Sequence, residues 1–95
     1  MNRIFWTNPA ISDLNGIHEY ISRDSEVYAD SILSEIFNSV DRLILYPKSG
    51  RTVPELGDDS TREIIVRSYR IIYNKQGDLI QILTILHAAR LFPNN

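Results

Sequence analysis

Cleavage of RNA without a metal needs a base for the 2′-hydroxyl, an acid for the leaving oxygen and cations for the phosphate. The chain offers few groups for those tasks. His87 closes the last apolar run, Thr84 to Arg90 (TILHAAR), where it could act as acid or base, with Arg70 and Arg90 as phosphate clamps. Its proton partner would have to be Glu63. The competing assignment is a histidine at a sheet end whose ring hydrogen-bonds neighbouring backbone. His18, the other histidine, reads as an exposed helical residue beside acidic neighbours.

Other chemistries lack their residues. With two histidines and no cysteine, a tetrahedral zinc site has too few soft ligands and neither a disulfide nor a thiol nucleophile can form. His18-Glu19 starts like H-E-x-x-H, but Ser22 stands where the second histidine belongs. Neither G-x-x-x-x-G-K-[ST] nor G-x-G-x-x-G occurs, so no phosphate-cradling loop is expected, and no cofactor. Cysteine-free composition agrees with a reducing cytoplasm. No apolar run is long enough to span a membrane, and no basic-then-apolar leader pattern opens the chain.

Charge is uneven along the 95 residues, whose formal net charge is −2. Up to Thr61, five cations face ten anions; from Arg62 onward, Arg62, Arg67, Arg70, Lys75 and Arg90 face only Glu63 and Asp78. The asymmetry predicts two faces with different partners, the basic one carried by the last third. The bland alternatives are strand-edge charges that deter aggregation and solvated acidic helix faces. An acidic chain gains little from counterion release, so direct nucleic-acid binding is not expected except through a target complex.

These residues need a scaffold, and the length allows one domain, residues 1–95. Arg3 to Thr7 reads as a first strand. Asn8-Pro9 reads as a helix start, with Asn8 capping and Pro9 where a missing N–H costs nothing. Ala10, Leu14, Ile17 and Ile21 recur at helical spacing. Ser25 to Tyr46 predicts a second helix on the stripe Ala29, Ile32, Leu33, Ile36, Val40, Leu43 and Ile44, stopping before Pro47. A loop rich in turn formers should cover residues 47 to 60. Three strands follow, Glu63 to Val66, Tyr69 to Asn74 and Leu79 to Leu86, joined at Arg67-Ser68 and Lys75–Asp78. The last is apolar almost throughout and should lie inside the sheet. The prediction is an α+β domain of order β-α-α-β-β-β, with a helical hairpin packed on a small, mainly antiparallel sheet.

Arg62-Glu63-Ile64-Ile65-Val66, Ser68-Tyr69-Arg70-Ile71-Ile72-Tyr73 and Ile85-Leu86-His87-Ala88-Ala89-Arg90 resemble the C-terminal half of the RelE/ParE toxins of bacterial toxin–antitoxin systems. Pro47, the Ser49-Gly50-Arg51 run and the helical hairpin extend the resemblance over nearly the whole chain. It implies one of two activities: mRNA cleavage in the ribosomal A site (RelE-like), or trapping of DNA gyrase on cleaved DNA without nuclease chemistry (ParE-like). The RelE pattern maps only in part. Arg70 matches its strand arginine and Arg62 sits near its first lysine, but its second lysine falls on Ile64 and its C-terminal tyrosine has no counterpart. Some relatives place a tyrosine directly after the histidine, where this chain has Ala88. His87-x-x-Arg90 is closer to the ParE branch. The expectation is therefore a gyrase poison with no catalytic residue, partnered by a ParD-like antitoxin. Its target surface is expected at Arg62, Arg67, Arg70 and Arg90, with Leu91 and Phe92 as apolar anchors. Arg90 and Phe92 could equally pin the tail to the core. If the chain is a nuclease, the set is Arg62, Arg70, His87 and Arg90.

Overall fold

The computed structural model describes residues 1–89. Strand β1 (Arg3–Trp6) leads into helix α1 (Asn8–Ser22), whose cap is Thr7 rather than Asn8. The Thr7 hydroxyl oxygen accepts from the Ala10 N–H at 3.3 Å and donates to the Ile82 carbonyl at 2.7 Å. Its N–H also reaches the Ile82 carbonyl, at 3.2 Å. Thr7 thus caps a helix and fixes it to a strand at once, which local pattern could not reveal. Thr7→Ala is expected to cost about 1–2 kcal/mol, seen as a lower midpoint in thermal unfolding.

Helix α2 (Glu26–Asp41) starts from a Ser25 cap and passes into a single 3₁₀ turn, Arg42–Ile44, so the helical path ends short of the expected Tyr46. The apolar stripes of α1 and α2 meet one face of the sheet. Ala10, Leu14, Ile32, Ile36, Val40 and Leu43 pack there with Val66, Ile71, Tyr73, Ile80, Ile82 and Ile85. Burial of this kind at ~0.8 kcal/mol per CH₂ is the main stabilising contribution.

The sheet adds β2 (Arg51–Thr52), β3 (Thr61–Val66), β4 (Tyr69–Gln76) and β5 (Leu79–His87) in the order β1-β5-β4-β3-β2. β3, β4 and β5 form the expected antiparallel meander, and β1 joins β5 in parallel. The last strand is interior, as its apolar run predicted. β4 runs two residues beyond the expected Asn74, leaving Gly77-Asp78 as the turn, with Gly77 at φ 60°. Arg67 takes φ 55° at the other turn, a conformation that costs a non-glycine residue ~1–2 kcal/mol.

β5 outruns β1, whose pairing stops at Trp6 opposite Ile82. The backbone groups beyond that point are satisfied by the start of α1. Thr7 takes the Ile82 carbonyl, and the Asp13 carboxylate accepts from the Ile85 N–H at 3.1 Å and from the Thr84 hydroxyl. Helix side chains do here what a longer strand would do.

The residue 47–60 segment is more structured than its turn-forming composition implied. It contributes the two-residue edge strand β2 and buries Val53 completely. Val53 and Ile72 are both inaccessible to solvent yet stand apart from the helix-side core. The segment therefore closes over the sheet's outer face.

Candidate functional site

Directly opposed residues on paired strands share a face, and that rule divides the candidate residues. Tyr69 opposes His87, and Arg62 opposes Tyr73, so His87 and Arg62 lie on the helix side. Glu63 opposes Ile72, and Ile65 opposes Arg70, so Glu63 and Arg70 lie on the outer side. On the helix face, Arg62 and His87 flank β4 on opposite sides, aligned with Tyr73 and Tyr69 respectively, and are offset by roughly 13 Å along the strand at ~3.3 Å per residue. The structure brings Glu63 and Arg70 together and does not bring either to His87.

What assembles on the outer face is a buried ion network. Glu63 is 1 % exposed and Arg70 4 %. Glu63 Oε1 accepts from Arg70 Nε at 2.6 Å, and its Oε2 accepts from Arg51 Nε at 2.5 Å. The two terminal nitrogens of Arg70 donate to Glu55 at 2.8 and 2.9 Å. Arg70 sits between two carboxylates, and its hydrogen bonds to Glu55, then those to Glu63, outweigh burial and hold its pKa above the usual arginine value. Paired charges of this kind tolerate the interior only while every partner remains. The network joins β2, the loop carrying Glu55, β3 and β4 in one electrostatic unit.

Arg62 and Arg67 are also engaged. Arg62 donates to the Gly50 carbonyl at 2.9 Å and to Asp59 at 2.9 Å. Arg67 grips Glu35 of α2 in a two-pronged pair, both contacts at 2.9 Å, tying the β3–β4 turn to the helices. That pair lowers the Glu35 pKa, chiefly through the hydrogen bond. The charge asymmetry of the sequence is thus largely settled inside the fold: cations of the last third meet anions of the first two. Arg70 in particular, expected on the target surface, is buried and leaves little of its side chain open to solvent. Arg90, Leu91 and Phe92 fall outside the described residues.

His87 is exposed. Its Nδ1 accepts from the Ala89 N–H at 3.2 Å, and its ring meets Tyr69 edge-on at 5.9 Å between centroids. The ring therefore does bond neighbouring backbone. His18, expected as an exposed helical residue beside acidic neighbours, is half-buried and pairs with Asp30 at 2.8 Å, joining α1 to α2. Its spacing from Asp30 across a helical hairpin left no local signature. Among the described residues no group of three or more histidine and acidic side chains is placed to hold a metal ion.

Sequence reading missed two further residues. Tyr73, 1 % exposed, donates from its hydroxyl to the Pro47 carbonyl at 2.8 Å and accepts from the Gly50 N–H at 3.1 Å. Gly50 is packed so closely that a β-carbon would lie 2.6 Å from the Glu63 carbonyl oxygen and 2.6 Å from the Tyr73 hydroxyl. The run Ser49-Gly50-Arg51 was visible as a motif, but its purpose, threading the loop past β3 and β4, was not.

With that geometry in place, comparison decides the family. A sequence model described as the ParE toxin of type II toxin–antitoxin systems, parDE, matches residues 4–92. The chain belongs to the ParE toxin family. This ParE-family toxin is similar to the protein named toxin RelE2 of Caulobacter vibrioides, 35% identical over 92 residues that span 96% of this chain and 100% of the relative. A solved structure titled as the chromosomal ParDE TA system from P. aeruginosa has the same fold, with a TM-score of 0.75 over 92% of this toxin and 96% of that chain at 23% identity. No helix among the described residues of the toxin is long and apolar enough to cross a membrane.

Proposed function

We propose that this ParE-family toxin acts by binding, holding DNA gyrase in its DNA-cleaved state, and that a ParD-like antitoxin neutralises it. The single observation that supports a binding mode is the division of the sheet: His87 on one face, Glu63 and Arg70 on the other. An acid–base pair for phosphodiester cleavage must converge on one reacting group within hydrogen-bond reach. Here the carboxylate that would partner His87 is committed to two arginines. Trapping needs no such pair; a protein that binds the cleaved state more tightly than the resealed one shifts the enzyme toward breaks. The target surface then draws on the outward parts of Arg62 and Arg67, on Arg90, and on Leu91 and Phe92, with Arg70 keeping the sheet in shape beneath. The site of action is the bacterial cytoplasm, and no cofactor is called for.

The alternative, ribosome-dependent mRNA cleavage, takes support from the name of the Caulobacter relative. One experiment separates them. Expression of the toxin should induce the DNA-damage response, and the purified protein should stabilise gyrase–DNA cleavage complexes. His87→Ala should fold normally and keep that activity. Cleavage of mRNA at codon boundaries with gyrase untouched, lost on His87→Ala, establishes the nuclease instead. Absence of any growth arrest would leave a non-toxic member that serves only to bind its antitoxin.

A further inference from the structure

Gly16 stands in the middle of α1, where glycine costs up to ~1 kcal/mol relative to alanine. Nothing inside the chain requires it, because a β-carbon added there would meet no atom within 4 Å. The missing side chain leaves part of a groove of about 520 Å³ open between α1 and the end of β5. Tyr20, Tyr69 and His87 line that groove with Ile17, Leu86 and Asp13. Tyr20 is 69 % exposed, a large ring with little packing of its own.

We infer that this groove is a docking site for a polypeptide segment carrying an arginine or lysine beside an apolar side chain. The rings of Tyr20 and Tyr69 give a cation π-faces to lie against. Asp13 is the one carboxylate lining the groove, and only its Oδ2 is used by Thr84 and Ile85; Oδ1 has no hydrogen bond among the described residues. No lysine or arginine lines the groove among the described residues. Helix α1, which forms one wall of the groove, carries Asp13 and Glu19 and no lysine or arginine. Its field favours a basic partner and repels an acidic one. Ile17, Ile85 and Leu86 supply the apolar wall for the neighbouring side chain. The inference shares with the reading above only the assumption that a protein partner exists, and it stands whether or not gyrase is the target.

The test is a ¹⁵N NMR titration of the full chain with a capped hexapeptide alternating leucine and arginine, beside the same peptide with glutamate for arginine. The basic peptide should shift the amides of Gly16, Tyr20, Tyr69 and His87, and added salt should weaken it. Gly16→Leu fills the groove while improving helix propensity. It should hold or raise the thermal midpoint yet weaken peptide binding by about tenfold or more, a change of ~1.4 kcal/mol. Should that variant lose its fold, Tyr20→Ala, a change at an exposed ring, carries the same expectation. Equal binding of the acidic peptide, shifts centred elsewhere, no shifts at all, or unchanged affinity in Gly16→Leu would each overturn the inference. So would concentration-dependent self-association that occupies the groove with a second copy.

Discussion

Glu63→Ala should lower the folding stability by about 3–5 kcal/mol, the range found when one partner of a buried ion pair is removed. The carboxylate is 1 % exposed and holds both Arg51 and Arg70. Without it the Nε groups of Arg70 and Arg51 lose their Glu63 acceptor, and a cavity opens beneath the residue 47–60 segment. A domain of this length has about 5–14 kcal/mol to lose at 0.05–0.15 kcal/mol per residue, so the variant is expected close to its unfolding threshold. Urea denaturation followed by circular dichroism reads the loss directly. Glu63→Gln separates charge from volume: it fills the space but cannot balance two guanidinium groups, and should recover only part of the stability. An alanine at residue 63 that leaves the urea midpoint within ~0.5 kcal/mol of the parent would mean that the network contributes nothing net, as some buried pairs do when water enters. Because Arg70 is also the strand arginine of the family resemblance, its loss of toxicity on mutation has to be read against stability first.

Gly50→Ala is the second large effect, expected at about 3 kcal/mol. Overpacking alone costs ~1–3 kcal/mol, and the displaced loop would strain the hydrogen bonds from the Gly50 N–H to Tyr73 and from Arg62 to the Gly50 carbonyl, each worth ~1 kcal/mol. One obstacle is the Glu63 carbonyl in the middle of β3, which cannot move without breaking the sheet. The other is Tyr73, whose hydroxyl would lie 2.6 Å and a ring carbon 2.9 Å from the added carbon, so Tyr73→Phe makes an informative partner. Alone it should cost ~1–2 kcal/mol by leaving the Pro47 carbonyl and Gly50 N–H short of a partner. In the double variant the hydroxyl clash is gone, and the combined loss should fall below the sum of the single losses. Strict additivity in that cycle would show that the contacts left in place, with the Glu63 carbonyl and the ring carbon of residue 73, carry the whole effect.

Both effects arise in places that local pattern describes poorly. The helices and the three long strands were legible because each announces itself by period: 3.6 residues for the stripe through Ile32, Ile36 and Val40, and a near-continuous β-branched run for β5. The helix start was read one residue late, since Asn8 is as good a cap as Thr7 until the strand that Thr7 also bonds is known. β2 escaped notice because two residues have no period at all. His87 was legible as a sheet-end residue bonded to backbone. Arg70 stood out by resemblance, but its burial did not, because a lone arginine in a strand gives no sign of carboxylates seven residues before it and fifteen before it.

The order of amino acids alone determined the layers of this ParE-family toxin, an α-helical hairpin on a mainly antiparallel sheet, since apolar periodicity acts over one or two turns and needs no distant partner. Tertiary structure alone decided where the charges went. Whether Arg62, Arg67 and Arg70 form an open basic surface or close onto Asp59, Glu35, Glu55 and Glu63 depends on which strands lie side by side and which face each residue takes. A Coulomb interaction at 3 Å is set by those positions, and the same residue counts are compatible with either outcome.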